Sequence, residues 1–278
     1  MTLPQQQGFG AAFRLTLVTS DPGLAAAADR SDVDYIGIDL DVLGKAARQS
    51  GEDSRLSDHK AEDLATIGGS VTRAKLFARV NPFNSQTPVE IENVLRRGAQ
   101  TIMLPYFRTV AEVAEFVGLV RGRAQISMLL ETASAAVRIR EIVAVPGIQE
   151  VMFGLNDLRR ELRVANHFEV LASPLLDALA REVRDAGLAL AIGGVADPGD
   201  SALPIPPDLV LAQYPRLGAT GAWLSRSLLL RVTSDEDLGR AIRAIRARLS
   251  DWGVASPQSL EAARRELADR ARHLAAAT

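Results

Sequence analysis

Cysteine is absent from this 278-residue chain. That excludes disulfides, thiolate nucleophiles and every metal site built on thiolate ligands. Histidine is scarce: His59, His167 and His273 are the three, spaced far apart, which argues against a His-rich zinc site. Lysine is as scarce, with Lys45, Lys60 and Lys75 the three among 32 basic residues and arginine making up the rest. No apolar run approaches the ~18 residues of a transmembrane helix. The N-terminus, MTLPQQQGFGAAFRLTLV, lacks the charged start and long apolar run of a signal peptide. These absences make the cytoplasm the expected setting and leave no expected membrane partner. Excess charge is lacking too. The balance of 32 Lys plus Arg against 34 Asp plus Glu, net -2, offers no electrostatic footprint for nucleic acid.

What is present is a rhythm. The chain is 47% hydrophobic, enough to furnish a core for one large domain. Short β-type runs alternate with helical patterns. The runs are Leu15 to Val18, Tyr35 to Leu40, Lys75 to Val80, Thr101 to Leu104, Gln125 to Leu130, Glu150 to Leu155, Leu188 to Ile192 and Ala219 to Leu224. Between them lie an Ala-rich helix after Gly23 and helices over 58–67, 87–97, 109–119, 133–143, 171–186, 207–217 and 235–249. Pro88 just inside a Thr cap and Gly187 after the 171–186 helix are start and stop signals. Eight β-then-α units predict an α/β fold, a (β/α)8 TIM barrel over residues 1–250. A doubly wound open sheet is the alternative, weakened because no Gly-x-Gly-x-x-Gly follows the first strand. Residues 251–278 read as a C-terminal helical tail that starts at Ser256-Pro257 and repeats Leu260, Leu267 and Leu274 every seven residues. Such a helix either packs on its own barrel or docks on a neighbouring subunit.

Barrel enzymes build their sites at the C-terminal ends of the strands. The polar residues falling there are Asp39 and Asp41 on strand two, Arg79 on strand three, Glu131 on strand five, Asn156 and Asp157 after strand six, Gly193 and Gly194 on strand seven, and Arg226 after strand eight. Glu131 and Asp157 come from adjacent strands. Two carboxylates in one mouth repel unless a cation or a shared proton lies between them, and oxygen ligands suit Mg2+ or Mn2+. In the alternative reading Glu131 caps its helix and Asp157 starts a turn. Arg79 suits an anionic substrate through paired hydrogen bonds. Lysine then discriminates between mechanisms. A Schiff-base aldolase needs a desolvated lysine in the mouth, whereas Lys75 opens strand three at the wrong end, Lys60 sits in a helix and Lys45 in a loop. Metal-assisted enolate chemistry is favoured over enamine chemistry.

At these residues the chain resembles the HpcH/HpaI aldolase and citrate lyase β-subunit family. The segments are DYIGIDLD at 34–41, ARVNP at 78–82, GAQTIMLP at 98–105, LLET at 129–132 and IVAVPGIQEVMFGLNDL at 142–158. They span most of the barrel in family order, LLET with GLNDL being the most specific. The IGGVADPGD and WLSRSLL segments look like those of a subgroup. The resemblance implies a divalent-metal (Mg2+ or Mn2+) aldolase or carbon–carbon lyase that acts on pyruvate or a similar 2-oxoacid and an aldehyde. It implies Glu131 and Asp157 as metal ligands, Arg79 at the keto or enolate oxygen, and the backbone N–H groups of Gly154, Leu155 and Asn156 around the substrate carboxylate. It also implies a homo-oligomer, a trimer or hexamer, since family members commonly form hexamers that exchange C-terminal helices.

One departure stands out. Well-known family aldolases carry a His just after the strand-two acidic residues, where this chain reads Asp39-Leu40-Asp41-Val42. His59, at the start of the next helix, is the candidate general acid/base; otherwise it is an exposed helix-start residue. Asp41 and Asp39 are read as orienting Arg79 or metal-bound water. His167 lies in a loop on the catalytic side, and His273 in the tail. Gly193, Gly194 and Arg226 could hold an anionic group of the aldehyde partner, or Arg226 could bridge loops or subunits. A citryl-CoA or malyl-CoA type lyase, or a thioesterase, is the alternative enzyme, with the basic run Arg159 to Arg163 available to an acyl-CoA. A catalytically lapsed, metabolite-binding barrel is the non-enzymatic alternative.

Overall fold

A computed structural model of the chain describes residues 8–44 and 58–276. Lys45, and the polar stretch from there to residue 57, lie outside the described residues. Eight strands, β1 (Arg14–Val18), β2 (Tyr35–Asp39), β3 (Lys75–Arg79), β4 (Thr101–Pro105), β5 (Gln125–Leu130), β6 (Glu150–Phe153), β7 (Ala189–Val195) and β8 (Gly221–Leu224), close into a barrel in sequence order. All pairings are parallel, and β8 returns to β1 through Arg14 opposite Gly221. That closure removes the open-sheet alternative. No helix among the described residues is long and apolar enough to cross a membrane.

Strand alternation sorts the side chains. Outward residues such as Ile36, Ile38, Ala78, Ile102, Met128 and Val151 are buried under the surrounding helices and form the main core. Inward residues fill the barrel in layers. The middle layer is apolar: Phe77, Met103, Leu129, Met152 and Ala191, with Trp223 packed against them. Two residues further along, the same faces present Asp39, Arg79, Glu131 and Gly154. Two residues earlier they present Thr101, Ser127 and Glu150.

Several local readings shift. The strand expected over 150–155 stops at Phe153, because Leu155 already begins a helix, Leu155–Leu162. The section expected to be irregular holds that helix and a second, His167–Leu171, started by Asn166, whose side chain accepts from the Phe168 and Glu169 N–H groups. Arg163, left-handed at φ 56°, separates the two. The next helix begins at Pro174 rather than Leu171, since Ser173 caps it and proline suits its first position. The 133–143 and 207–217 helices are each two short pieces, Ala133–Ala136 with Ile139–Val143, and Pro207–Leu211 with Gln213–Leu217.

The tail helix, Pro257–Ala276, lies on its own barrel through Ala263, Leu267 and Ala271. This buried stripe follows a four-residue spacing, with Leu260 and Leu274 half-buried beside it. Arg264 donates to the Ala172 carbonyl at 3.0 Å and Asn166 to the Ala271 carbonyl at 2.9 Å.

Candidate active site

The C-terminal mouth is organised by one ion pair. Asp39 ends β2 and Arg79 ends β3, directly opposite in register. The Arg79 Nε donates to Asp39 Oδ1 at 2.7 Å and its terminal nitrogen to Oδ2 at 2.5 Å, a two-pronged geometry. Both side chains are nearly buried. From across the barrel the Trp223 ring of β8 lies against the guanidinium, 5.0 Å from the Arg79 Cζ, a cation–π contact. Burial alone would lower the Arg79 pKa. The charge and hydrogen bonds of Asp39, with the charges of Glu131 and Asp41, override it and hold the guanidinium above its ordinary value. Arg79 is therefore a fixed cation among three carboxylates.

Asp39 and Asp41 form a tight corner. The Asp41 N–H donates to Asp39 Oδ1 at 3.0 Å, and Asp41 is buried. The Asp39 N–H donates to His59 Nδ1 at 3.0 Å. His59 is thereby half-buried against the end of β2, before the Ala61–Gly68 helix. Accepting at Nδ1 leaves Nε2 as the nitrogen that carries the proton. Asn81 braces the loop beyond, its Oδ1 accepting from the Val42 and Leu43 N–H groups while Glu90 accepts from its own backbone N–H and side-chain amide.

Glu131 follows β5 and is 3% exposed. The capping alternative for it does not hold: Thr132 caps the Ala133–Ala136 helix, accepting from the Ala135 N–H and donating to the Phe107 carbonyl at 2.8 Å. Glu131 instead lies over Gly154. A Cβ placed on Gly154 would sit 2.6 Å from Glu131 Oε2 and 2.8 Å from its Cβ, so a residue without a side chain is needed there. Asp157 sits in the first turn of the Leu155–Leu162 helix and is 8% exposed. Leu155 is buried and Asn156 exposed.

Burying carboxylates is costly unless they are paired or hold a cation. Among the described residues no group of three or more His, Asp or Glu converges as a metal-holding cluster. Two buried carboxylates are too few for a closed structural zinc site. They fit Mg2+, which is bound by one or two carboxylates and completes its shell with water and substrate oxygens.

Three residues that sequence reasoning missed flank this mouth. Tyr106 follows β4 with φ 52°, and its hydroxyl donates to Glu161 at 2.8 Å. Arg108 pairs with the same carboxylate at 2.7 Å. Burial raises the Glu161 pKa, but these bonds outweigh it and leave the carboxyl below its ordinary value. Glu161 thus ties the β4 loop to the Leu155–Leu162 helix, so the run Arg159 to Arg163 is not simply a basic face. The positive φ of Tyr106 had no sequence signal. Trp223, also missed, had one in its inward phase on β8.

The strand-seven candidates lie at an irregularity of the sheet and the strand-eight candidate at a helix start. Between Ile192 and Val195 the β7–β8 register gains one residue, a bulge. Gly194 takes φ 79° there, a conformation that L residues rarely adopt. Arg226 is exposed at the start of the short Arg226–Arg231 helix. Of the other histidines, His167 opens its helix beside Phe168, the ring centroids 3.9 Å apart, and is half-buried. Burial, aided by the Arg159 charge, pulls its pKa down to about 4. His273, exposed on the tail, contacts the Asp269 carbonyl.

A search of curated protein sequences finds no match. Solved structures share the fold at low identity. An HpcH/HpaI aldolase from Desulfitobacterium hafniense DCB-2 aligns at TM-score 0.61 and 15% identity, covering 86% of this chain and 96% of that one. An HpcH/HpaI aldolase/citrate lyase family protein from Burkholderia cenocepacia J2315 aligns at 0.61 and 16%, covering 88% and 97%. A citrate lyase from Burkholderia xenovorans LB400 aligns at 0.59 and 15%, covering 95% and 92%. The HpcH/HpaI aldolase/citrate lyase family profile itself matches residues 15–193, the stretch that contains Asp39, Arg79, Glu131 and Asp157. With that match across most of the barrel, this chain belongs to the HpcH/HpaI aldolase/citrate lyase family.

Proposed function

We propose that the chain is a divalent-metal-dependent carbon–carbon lyase of the aldolase type, acting on pyruvate or a close 2-oxoacid together with an aldehyde. The observation that supports it most is the charged layer of the barrel, where the clamped Arg79 cation faces the buried Glu131 carboxylate. A lapsed barrel has no use for a carboxylate desolvated to this degree.

Glu131 and Asp157 would hold Mg2+ or Mn2+. When bound, the metal supplies Lewis-acid polarisation of the 2-oxoacid and neutralises its negative charge. Arg79 meets the keto oxygen with N–H groups that Asp39 and Trp223 hold in place, so negative charge growing there as the C–C bond breaks or forms finds a donor already oriented. The Gly154 N–H is committed to the Leu130 carbonyl at 2.9 Å, so of the loop's backbone groups the Leu155 and Asn156 N–H, at the start of a helix, receive the substrate carboxylate. His59, its Nδ1 taken by the Asp39 N–H, offers Nε2–H as a general acid, with Asp41 orienting the corner. Gly193, Gly194 and Arg226 would meet an anionic end of the aldehyde. The active form is a homo-oligomer, a trimer or hexamer, in the cytoplasm.

The test is exchange of pyruvate methyl protons with deuterated solvent, followed by NMR. Exchange should require Mg2+ or Mn2+ and disappear in Glu131→Gln/Asp157→Asn and in Arg79→Ala, with metal affinity retained in the latter. Exchange that proceeds equally without metal, or persists in both variants, would remove the proposal.

A further inference from the structure

The loops that carry Glu131 and Asp157 are joined by a third carboxylate. Asp157 and Glu161 stand four residues apart on the Leu155–Leu162 helix, one turn, and so share a face. Glu161 is half-buried and reaches two other loops. On the β4 side the Tyr106 hydroxyl donates to Glu161 Oε1 at 2.8 Å, and Arg108 donates to the same oxygen at 2.7 Å. Arg108 also donates to the Tyr106 hydroxyl at 3.0 Å. On the β5 side the Ala133 N–H donates to Glu161 Oε2 at 3.4 Å. Ala133 opens the Ala133–Ala136 helix, two residues after Glu131. Thr132, between them, donates to the Phe107 carbonyl at 2.8 Å and closes the same triangle.

The β4 end of this latch is fixed in turn. The Arg108 and Thr109 N–H groups donate to Glu112 of the Val110–Val120 helix at 2.7 and 2.9 Å. Tyr106 is left-handed, φ 52°, a conformation that a bulky residue keeps only where its surroundings over-determine it. Here the ring gains the Glu161 bond and the Arg108 guanidinium, 4.9 Å from its centroid. Backbone strain of this kind concentrates at ligand and active sites.

We infer that Glu161 is a positioning residue for the metal site proposed above, on which this inference rests: held by Tyr106 and Arg108, it sets the spacing of Glu131 and Asp157. Two carboxylates in one mouth repel until a cation joins them, so their loops need a brace in the metal-free protein. Mg2+ and Mn2+ favour octahedral oxygen shells, so that spacing governs affinity.

The test compares the full-length parent with Glu161→Gln, Tyr106→Phe and Asp208→Asn. Mn2+ binding is read by isothermal titration, and amide hydrogen exchange by mass spectrometry on the metal-free proteins. Glu161→Gln keeps the shape of the side chain but leaves one accepting oxygen for donors on two sides. Its Mn2+ Kd should rise about 10–100-fold, the size of effect seen when a ligand's support is lost. Tyr106→Phe, which retains Arg108, should raise it less. Exchange should quicken in metal-free Glu161→Gln over both 131–137 and 155–162. Asp208→Asn weakens an ion pair elsewhere, between the Pro207–Leu211 and Asp235–Gly253 helices. It should lower the Tm and leave the Mn2+ Kd at the parent value, which separates positioning from general stability. An unchanged Kd in Glu161→Gln, or an equal rise in Asp208→Asn, would overturn the inference and leave the metal site standing. A parent that binds no Mn2+ would remove the metal reading instead, and the positioning would then be decided by exchange alone. Unchanged exchange in either segment overturns it, whether or not metal binds.

Discussion

Arg79 grips Asp39 through two parallel hydrogen bonds across adjacent strands, with the Trp223 ring against its far side. The guanidinium cannot swing between roles, and its free N–H edge is set by the barrel rather than by substrate. Arg79→Lys keeps the charge and discards the fork. We expect kcat for metal-dependent exchange to fall by about 10²–10³, as for loss of one preorganised donor to a developing anion, with metal affinity unchanged by calorimetry. Asp39→Ala leaves a nearly buried cation without its carboxylate and should cost about 3 kcal/mol in urea unfolding. Full stability in Asp39→Ala would show that the pair does not hold this corner.

Gly154 is a space requirement imposed by Glu131. Gly154→Ala brings a methyl to within 2.6 Å of Glu131 Oε2, so the carboxylate must move. Mg2+ or Mn2+ affinity, read by isothermal titration, should fall by about 10–100-fold, the size of effect seen when a ligand's support is altered. Unchanged affinity would mean that Glu131 is not where the metal binds.

His167 makes the protein sensitive to mild acid without taking part in the chemistry. Its folded pKa, about 4, lies below the ordinary histidine value, so the unfolded chain takes up a proton that the folded chain refuses. Stability is unaffected above about pH 6.5, falls as pH drops from there, and levels off below about 4 as the folded form also protonates. Urea midpoints measured from pH 7.5 to 4.5 should decline less steeply in His167→Gln than in the parent. Parallel profiles would place the histidine in water.

The tail helix belongs to the stability of the single chain before any role between chains. Leu267→Ala removes a fully buried side chain from the stripe with Ala263 and Ala271 and should cost about 2–5 kcal/mol. Light scattering then separates the two roles. A variant that unfolds more easily yet keeps its assembly size assigns the helix to its own barrel, and a smaller assembly assigns it to a neighbour as well.

Residue order alone made much of this legible. Alternation with a period of two in DYIGID, KLFAR and QISMLLE put Asp39, Arg79 and Glu131 on the inward faces at the strand ends. The turn and cap signals between them counted out the eight units. The absence of cysteine and the placement of Lys60 and Lys75 narrowed the chemistry before any coordinate. These inferences rest on local periodicity, which a strand carries wherever it is placed.

What alternation cannot supply is the partner across the barrel. That Arg79 takes Asp39 follows from the β2–β3 register, and that Trp223 covers it follows from closure of β8 on β1. That His59 accepts from the Asp39 N–H, twenty residues upstream, depends on how the Ala61–Gly68 helix returns to the sheet. Glu131 reads from sequence as a helix cap or a ligand; its position over Gly154 and the capping by Thr132 decide against the cap. That the Thr101 hydroxyl has no hydrogen-bond partner among the described residues is invisible in a strand that reads simply as apolar, because whether a side chain is satisfied depends on neighbours that only the closed barrel assembles.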